Sequence, residues 1–245
     1  MYTETNKGFT VITNFGCDQG CRYCISKAHP LLQGKITPPE GLDWENLEKY
    51  ISLTKAPNIN LSGGGDPFYL WENKIDFYTR MFSLSNQYNK GLDIHTRILP
   101  ENYELLGKFR KIALALEYWD KKGFENLRLR IKDLEEVTQF RVIQVVGPRL
   151  NSDILSGYIE DLLEIGVKQI TLREMFGNKG AHENFEKLKN ELDNIYPGVL
   201  FLSDGEYHEY YFMSDNKVYP YFFGMTKEDR ELWRKRYEDL EQNCN

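Results

Sequence analysis

The sequence predicts an α/β fold built on a parallel sheet, and three observations predict it. Strand-like and helix-like segments alternate from residue 9 to about residue 203, the order of repeated βαβ units with right-handed crossovers. Ile112 to Leu116 is a continuous apolar run, as expected of a parallel strand buried on both faces. The chain has 245 residues, a length at which a single domain of the α/β-barrel kind is common and two domains are not required.

The elements follow in order. Residues 9–14 are rich in β-formers and run into a cysteine-bearing loop. Residues 43–54 place Trp44, Leu47, Tyr50 and Ile51 at helical spacing. Residues 58–62 read as a short strand that ends in a glycine loop, Ser62-Gly63-Gly64-Gly65-Asp66-Pro67. A helix is expected over 71–89, a strand over Leu92–Thr96 and a short helix over 101–109. The strand at 112–116 is followed by a charged helix over 121–137. Phe140–Val146 is a strand that stops at Gly147-Pro148. Ile154, Leu155, Tyr158, Ile159, Leu162 and Leu163 form one helical face. Lys168–Leu172 and Val199–Leu202 read as strands, with Phe185, Leu188, Leu192 and Ile195 lining a helix between them.

Composition narrows the function classes. Hydrophobic residues make up 41% and aromatics 14%, enough for a large core, which excludes intrinsic disorder. Lys and Arg number 31 against 37 Asp and Glu, a net charge of −6, which argues against a nucleic-acid coat. No run of eighteen apolar residues is present, so no membrane span is expected. Met1 to Gly8 is polar, so no secretory signal is expected and the localisation is read as cytoplasmic.

The four cysteines are Cys17, Cys21, Cys24 and Cys244. Three of them fall within eight residues, and in a reducing compartment such a group reads as metal-binding or catalytic rather than as disulfides. Structural zinc takes four protein ligands, usually as two separated pairs, and no second Cys/His pair follows. His29 precedes Pro30 and stands alone. A cubane iron–sulfur cluster ordinarily takes four thiolates, so three would leave one iron open to a ligand. Cys244 reads as an incidental tail thiol.

Cys17-Asp-Gln-Gly-Cys21-Arg-Tyr-Cys24, a CxxxCxxC motif with an aromatic before its last cysteine, resembles the radical S-adenosylmethionine (radical SAM) superfamily. The resemblance implies that Cys17, Cys21 and Cys24 hold a 4Fe–4S cluster whose open iron is chelated by SAM, and that Tyr23 lies near the adenine. Gly64-Gly65-Asp66-Pro67 resembles the family's GGEP loop, with the shorter Asp in place of Glu. That implies contact with the SAM amino group from Gly64, Gly65 and Asp66. It also implies a six-stranded (β/α)6 partial barrel over residues 1–203.

In parallel α/β folds ligands sit at the carboxyl ends of strands, and polar residues gather at those ends here. They include His95, Thr96 and Arg97, then Glu117, Gln144, Arg173 and Glu174. Arg97 or Arg173 is suited to the SAM carboxylate, through a fork of guanidinium hydrogen bonds. Glu117 matches the acceptor for the ribose diol. His95 reads as a structural histidine or a substrate contact. The implied chemistry is reductive cleavage of SAM to a 5′-deoxyadenosyl radical, which takes hydrogen from a small organic, nucleotide or peptide substrate. A one-electron reductant such as flavodoxin or ferredoxin is the implied partner.

Residues 204–245 are expected to form a hairpin and a final helix packed on the core, without forming an independent domain. Asp215-Asn216-Lys217-Val218-Tyr219-Pro220-Tyr221 resembles the hairpin of SPASM/twitch extensions, with Tyr221 where those carry a cluster cysteine. No auxiliary cluster is therefore expected. Tyr207, His208, Tyr210 and Tyr211 are candidates to line the substrate site, or alternate between core and solvent as in any hairpin. Two other functions stay open: an activase that places a glycyl radical on a partner enzyme, and a non-enzymatic zinc or Fe–S binding module.

Overall fold

The computed structural model describes residues 8–13, 15–21, 24, 41–175, 179–203, 210–212 and 216–219. Tyr23, His29, Tyr207, His208, Tyr221, Cys244 and the expected final helix lie outside the described residues.

The strands are β1 (Phe9–Val11), β2 (Asn58–Leu61), β3 (Gly91–Thr96), β4 (Lys111–Ala115), β5 (Gln139–Val146), β6 (Ile170–Glu174), β7 (Val199–Leu202), β8 (Tyr210–Phe212) and β9 (Val218–Tyr219). The helices are α1 (Trp44–Leu53), α2 (Ile75–Gln87), α3 (Tyr103–Leu106), α4 (Lys121–Val137), α5 (Ser152–Glu164) and α6 (Lys179–Leu192). The expected helix over 71–89 begins as a 3-10 turn, Trp71–Lys74, before α2.

Short polar side chains start four of the helices. Asp43, Asn102, Asp120 and Asn151 each accept a hydrogen bond from the backbone N–H three residues on, at 2.9–3.0 Å. Each satisfies a donor that the helix leaves unpaired, and each stabilises by about 1 kcal/mol.

Among the described residues the sheet runs β7-β6-β5-β4-β3-β2-β1-β8-β9 and does not close. Neighbours from β7 to β8 are parallel, and β9 returns antiparallel to β8. The sheet therefore carries more strands than a six-stranded barrel. The expected tail hairpin is present, but its first strand is also an eighth parallel strand, with Phe9, Thr10 and Val11 opposite Tyr210, Tyr211 and Phe212. That pairing gives partners to the backbone groups on the open side of β1. The chain just ahead of β9 is fastened as well. Asn216, at φ 61°, accepts from the Asp43 N–H at 2.9 Å and donates to the Gly41 carbonyl at 3.2 Å.

Period-two alternation splits each strand between two layers. On β4, Ile112 and Leu114 join the apolar layer, while Lys111, Ala113 and Ala115 take the other face. On β5, Phe140, Val142 and Val146 belong to that layer, and Arg141, Ile143 and Val145 alternate away from it. The helices supply Leu47, Ile51, Met81, Leu127, Leu134 and Leu155, all fully buried. The opposite face is mixed: beside Ala113 and Ile143 it buries the polar side chains of Thr10, Asn60, Asp93, Lys111, Arg141 and Thr171.

Candidate functional site

The site begins where β1 ends. Its loop carries Cys17, Cys21 and Cys24, all free thiols, with Cys17 exposed and the other two partly buried. This loop is paired to the glycine loop that follows β2. Gly16 and Gly65 form a parallel bridge, the Phe15 N–H donates to the Gly64 carbonyl at 2.7 Å, and the Asp66 N–H donates to the Gly16 carbonyl at 2.8 Å. Gly65 stands at φ +103°, and a Cβ there would lie 2.3 Å from the Gly16 carbonyl oxygen. Glycine is thus required twice over, for its backbone angle and for the close approach of the two loops.

Asp66 is 5% exposed and turned into the protein. Its Oδ1 accepts from the Thr96 hydroxyl at 2.6 Å and the Phe68 N–H at 2.9 Å, and its Oδ2 accepts from the Arg97 N–H at 2.5 Å. Burial raises its pKa above the ordinary carboxylate value, and these hydrogen bonds oppose the rise. The carboxylate thereby locks the end of β2 to the end of β3.

Arg97 extends that link to the cysteines. Its Nη1 lies 3.1 Å from Cys21 Sγ, and its Nη2 lies 3.5 Å from Asp120 Oδ2. Asp120 is itself held as the cap of α4, its Oδ1 on the Gly123 N–H. Near the thiols, desolvation pushes Cys17 up to about 11, with the charge of Asp66 and the two neighbouring sulfurs adding to it and the Gln19 N–H opposing. A Cys17 thiolate therefore needs positive charge beside it. Three free thiols next to a guanidinium make a donor set that fits an iron–sulfur cluster. Among the described residues no three His, Cys, Asp or Glu side chains are arranged to hold a single metal ion. Each cluster thiolate binds its own iron, so the three sulfurs have to surround one cubane rather than meet at one ion.

The other expected residues lie farther along the sheet. Glu117, 2% exposed, accepts from Gln144 Nε2 at 3.0 Å, and Gln144 Oε1 takes the Tyr118 N–H at 2.8 Å. This joins the ends of β4 and β5. Arg173 is in register with Val145 and Leu202. Glu174 meets His182 of α6 at 3.0 Å. The structure thus brings Cys17, Cys21, Cys24, Gly64, Gly65, Asp66 and Arg97 to one group of strand ends, with Glu117 two strands beyond β2. Asp120 is the participant that sequence reasoning missed. An Asp before a helix marks a cap, but nothing local says that its second oxygen faces an arginine from another strand.

No protein-family model matches the sequence, nor does any curated protein. Among solved structures the chain resembles methylornithine synthase (PylB), with a TM-score of 0.55 and 14% identity, over 97% of this chain and 82% of that chain. At that identity the likeness speaks for the fold alone, an unclosed and mostly parallel α/β sheet of the partial-barrel kind.

Proposed function

We propose that the protein is a radical SAM enzyme with a single cluster, acting on a small organic, nucleotide or peptide substrate. The observation that carries this reading is the loop of Cys17, Cys21 and Cys24, fastened through Gly16 and Gly65 to the Gly63–Asp66 loop at the carboxyl ends of β1 and β2. A 4Fe–4S cluster with SAM supplies, when bound, the one-electron cleavage that yields a 5′-deoxyadenosyl radical. The chain's part is to hold and orient. Cys17, Cys21 and Cys24 are the cluster ligands. Gly64 and Gly65 offer backbone to the SAM amino group, and Glu117 and Arg173 serve its ribose and carboxylate. Asp66 contributes through the loop that it fixes, since its oxygens are engaged by Thr96, Phe68 and Arg97.

Cys244 is the one cysteine outside the motif, which supports a hairpin related to SPASM/twitch extensions but without its own cluster. Among the described residues no helix is long and apolar enough to cross a membrane. A cytoplasmic setting and a flavodoxin- or ferredoxin-like reductant complete the reading.

The test is anaerobic reconstitution with iron and sulfide, followed by reduction in the presence of SAM. The wild type should hold about four irons per chain, as a 4Fe–4S cluster does, and release 5′-deoxyadenosine. Cys17→Ala, Cys21→Ala and Cys24→Ala should each lose both properties. One zinc and no iron per chain would overturn the proposal in favour of a binding module. A glycyl radical signal on mixing with a large co-purifying partner would favour the activase instead.

A further inference from the structure

We infer that Arg97 is a positioning residue for the Cys21 sulfur, placed to raise the reduction potential of the metal centre that this thiolate holds, rather than a ligand of the SAM carboxylate. The inference rests on the reading of Cys17, Cys21 and Cys24 as cluster ligands. Contacts at both ends of the residue restrict where the side chain can go. Its backbone N–H is gripped by the buried Asp66 at 2.5 Å. One arm of the guanidinium faces Asp120 Oδ2 at 3.5 Å, and the other reaches Cys21 Sγ at 3.1 Å. Both carboxylates are fixed in turn, Asp66 by Thr96 and Phe68 and Asp120 by the cap bond to Gly123. The Arg97 side chain is only 16% exposed, so solvent screens its charge weakly.

A planar fork anchored on one carboxylate holds its second arm in a set direction, as a lysine cannot. Hydrogen bonds to ligand sulfurs and the net charge around a cluster set its potential. A guanidinium donating to a ligand thiolate stabilises the reduced, more negative state. The same geometry turns the guanidinium toward the cysteine loop and Asp120, which leaves the SAM carboxylate to another cation in this reading.

The experiment compares reconstituted wild type, Arg97→Gln and Arg97→Lys by EPR-monitored redox titration without SAM, alongside iron content and SAM affinity. Thermal melts check folding. Arg97→Gln should keep its iron but show about a tenfold smaller ratio of reduced to oxidised cluster at a fixed poise, equivalent to about 59 mV for a one-electron couple. Arg97→Lys should recover part of that loss, because the charge remains. An unchanged titration with iron retained would overturn the inference and leave the proposed function standing. So would an unchanged titration with weakened SAM binding, which would return Arg97 to the SAM carboxylate. Loss of iron from Arg97→Gln with restoration in Arg97→Lys, and an unshifted potential in the latter, would also overturn it, since the role would then be assembly alone. A wild type that takes up no iron would defeat both readings together.

Discussion

Gly65 sits at the tightest point of the site. Its φ of +103° and the 2.3 Å approach of a hypothetical Cβ to the Gly16 carbonyl leave an alanine two ways to fail, through backbone angle and through a clash with backbone that cannot swing aside. Gly65→Ala should therefore separate the paired loops, at a cost of about 1–3 kcal/mol. Gly63→Ala makes a useful control. Its φ is also positive, at +68°, but the atoms nearest its Cβ would be those of the Ile12 side chain, from 3.1 Å. Urea melts should rank Gly65→Ala below Gly63→Ala, with iron uptake following the same order. Equal losses would mean that backbone angle alone decides. Asp66 shows how far a residue can be read from sequence. Its place beside the glycines was legible, but its inward orientation depends on Thr96, Phe68 and Arg97, two of which lie thirty residues downstream.

At the scale of elements, the strands and helices were legible because each signal is local. The apolar run of β4 and the charged helix α4 each depend on a few neighbouring residues. The short strand β8 gave no comparable signal of where it would pair. Three residues rich in aromatics fit a hairpin, and only the open side of β1 makes them a parallel strand of the main sheet. The same long-range logic applies to Asn216. Its left-handed backbone suits asparagine, while its bonds to Asp43 and Gly41 cross more than 170 residues of sequence. Asn216→Ala should cost about 1–2 kcal/mol, from the lost side-chain bonds and the strained angle. Hydrogen exchange at the Asp43 amide should accelerate in Asn216→Ala and in Asn216→Gly, while Gly recovers part of the stability because it tolerates the angle. An unaltered Asp43 amide would show that the tail is not held there.

Across the whole molecule, the helix layer reaches through to the strand ends by two buried phenols. Tyr78 of α2 donates to the Pro67 carbonyl beside the glycine loop at 2.5 Å, and Tyr158 of α5 donates to the Leu116 carbonyl at the end of β4 at 2.7 Å. Burial pushes both hydroxyls well above their ordinary value, and nearby carboxylates add to it, Asp66 and Glu72 for Tyr78 and Glu117 and Asp120 for Tyr158. An ionised phenol cannot donate, so these tethers exist only in the protonated form. Because the folded value lies above the unfolded one, the folded chain holds more protons than the unfolded chain once pH exceeds about 10, and stability must fall from there upward. Below that pH the contribution is fully present. Urea denaturation from pH 8 to 11 should show a decline in the wild type that steepens above about pH 10, with a shallower decline in Tyr78→Phe/Tyr158→Phe. At pH 8 the double variant should already be less stable, by roughly 1–3 kcal/mol for each carbonyl left without its donor. Surface lysines titrate in the same range in every variant, so the difference between the two curves isolates the tyrosines. Parallel curves would show that the phenols are not the linked groups, and that the strand ends are held by the loops alone.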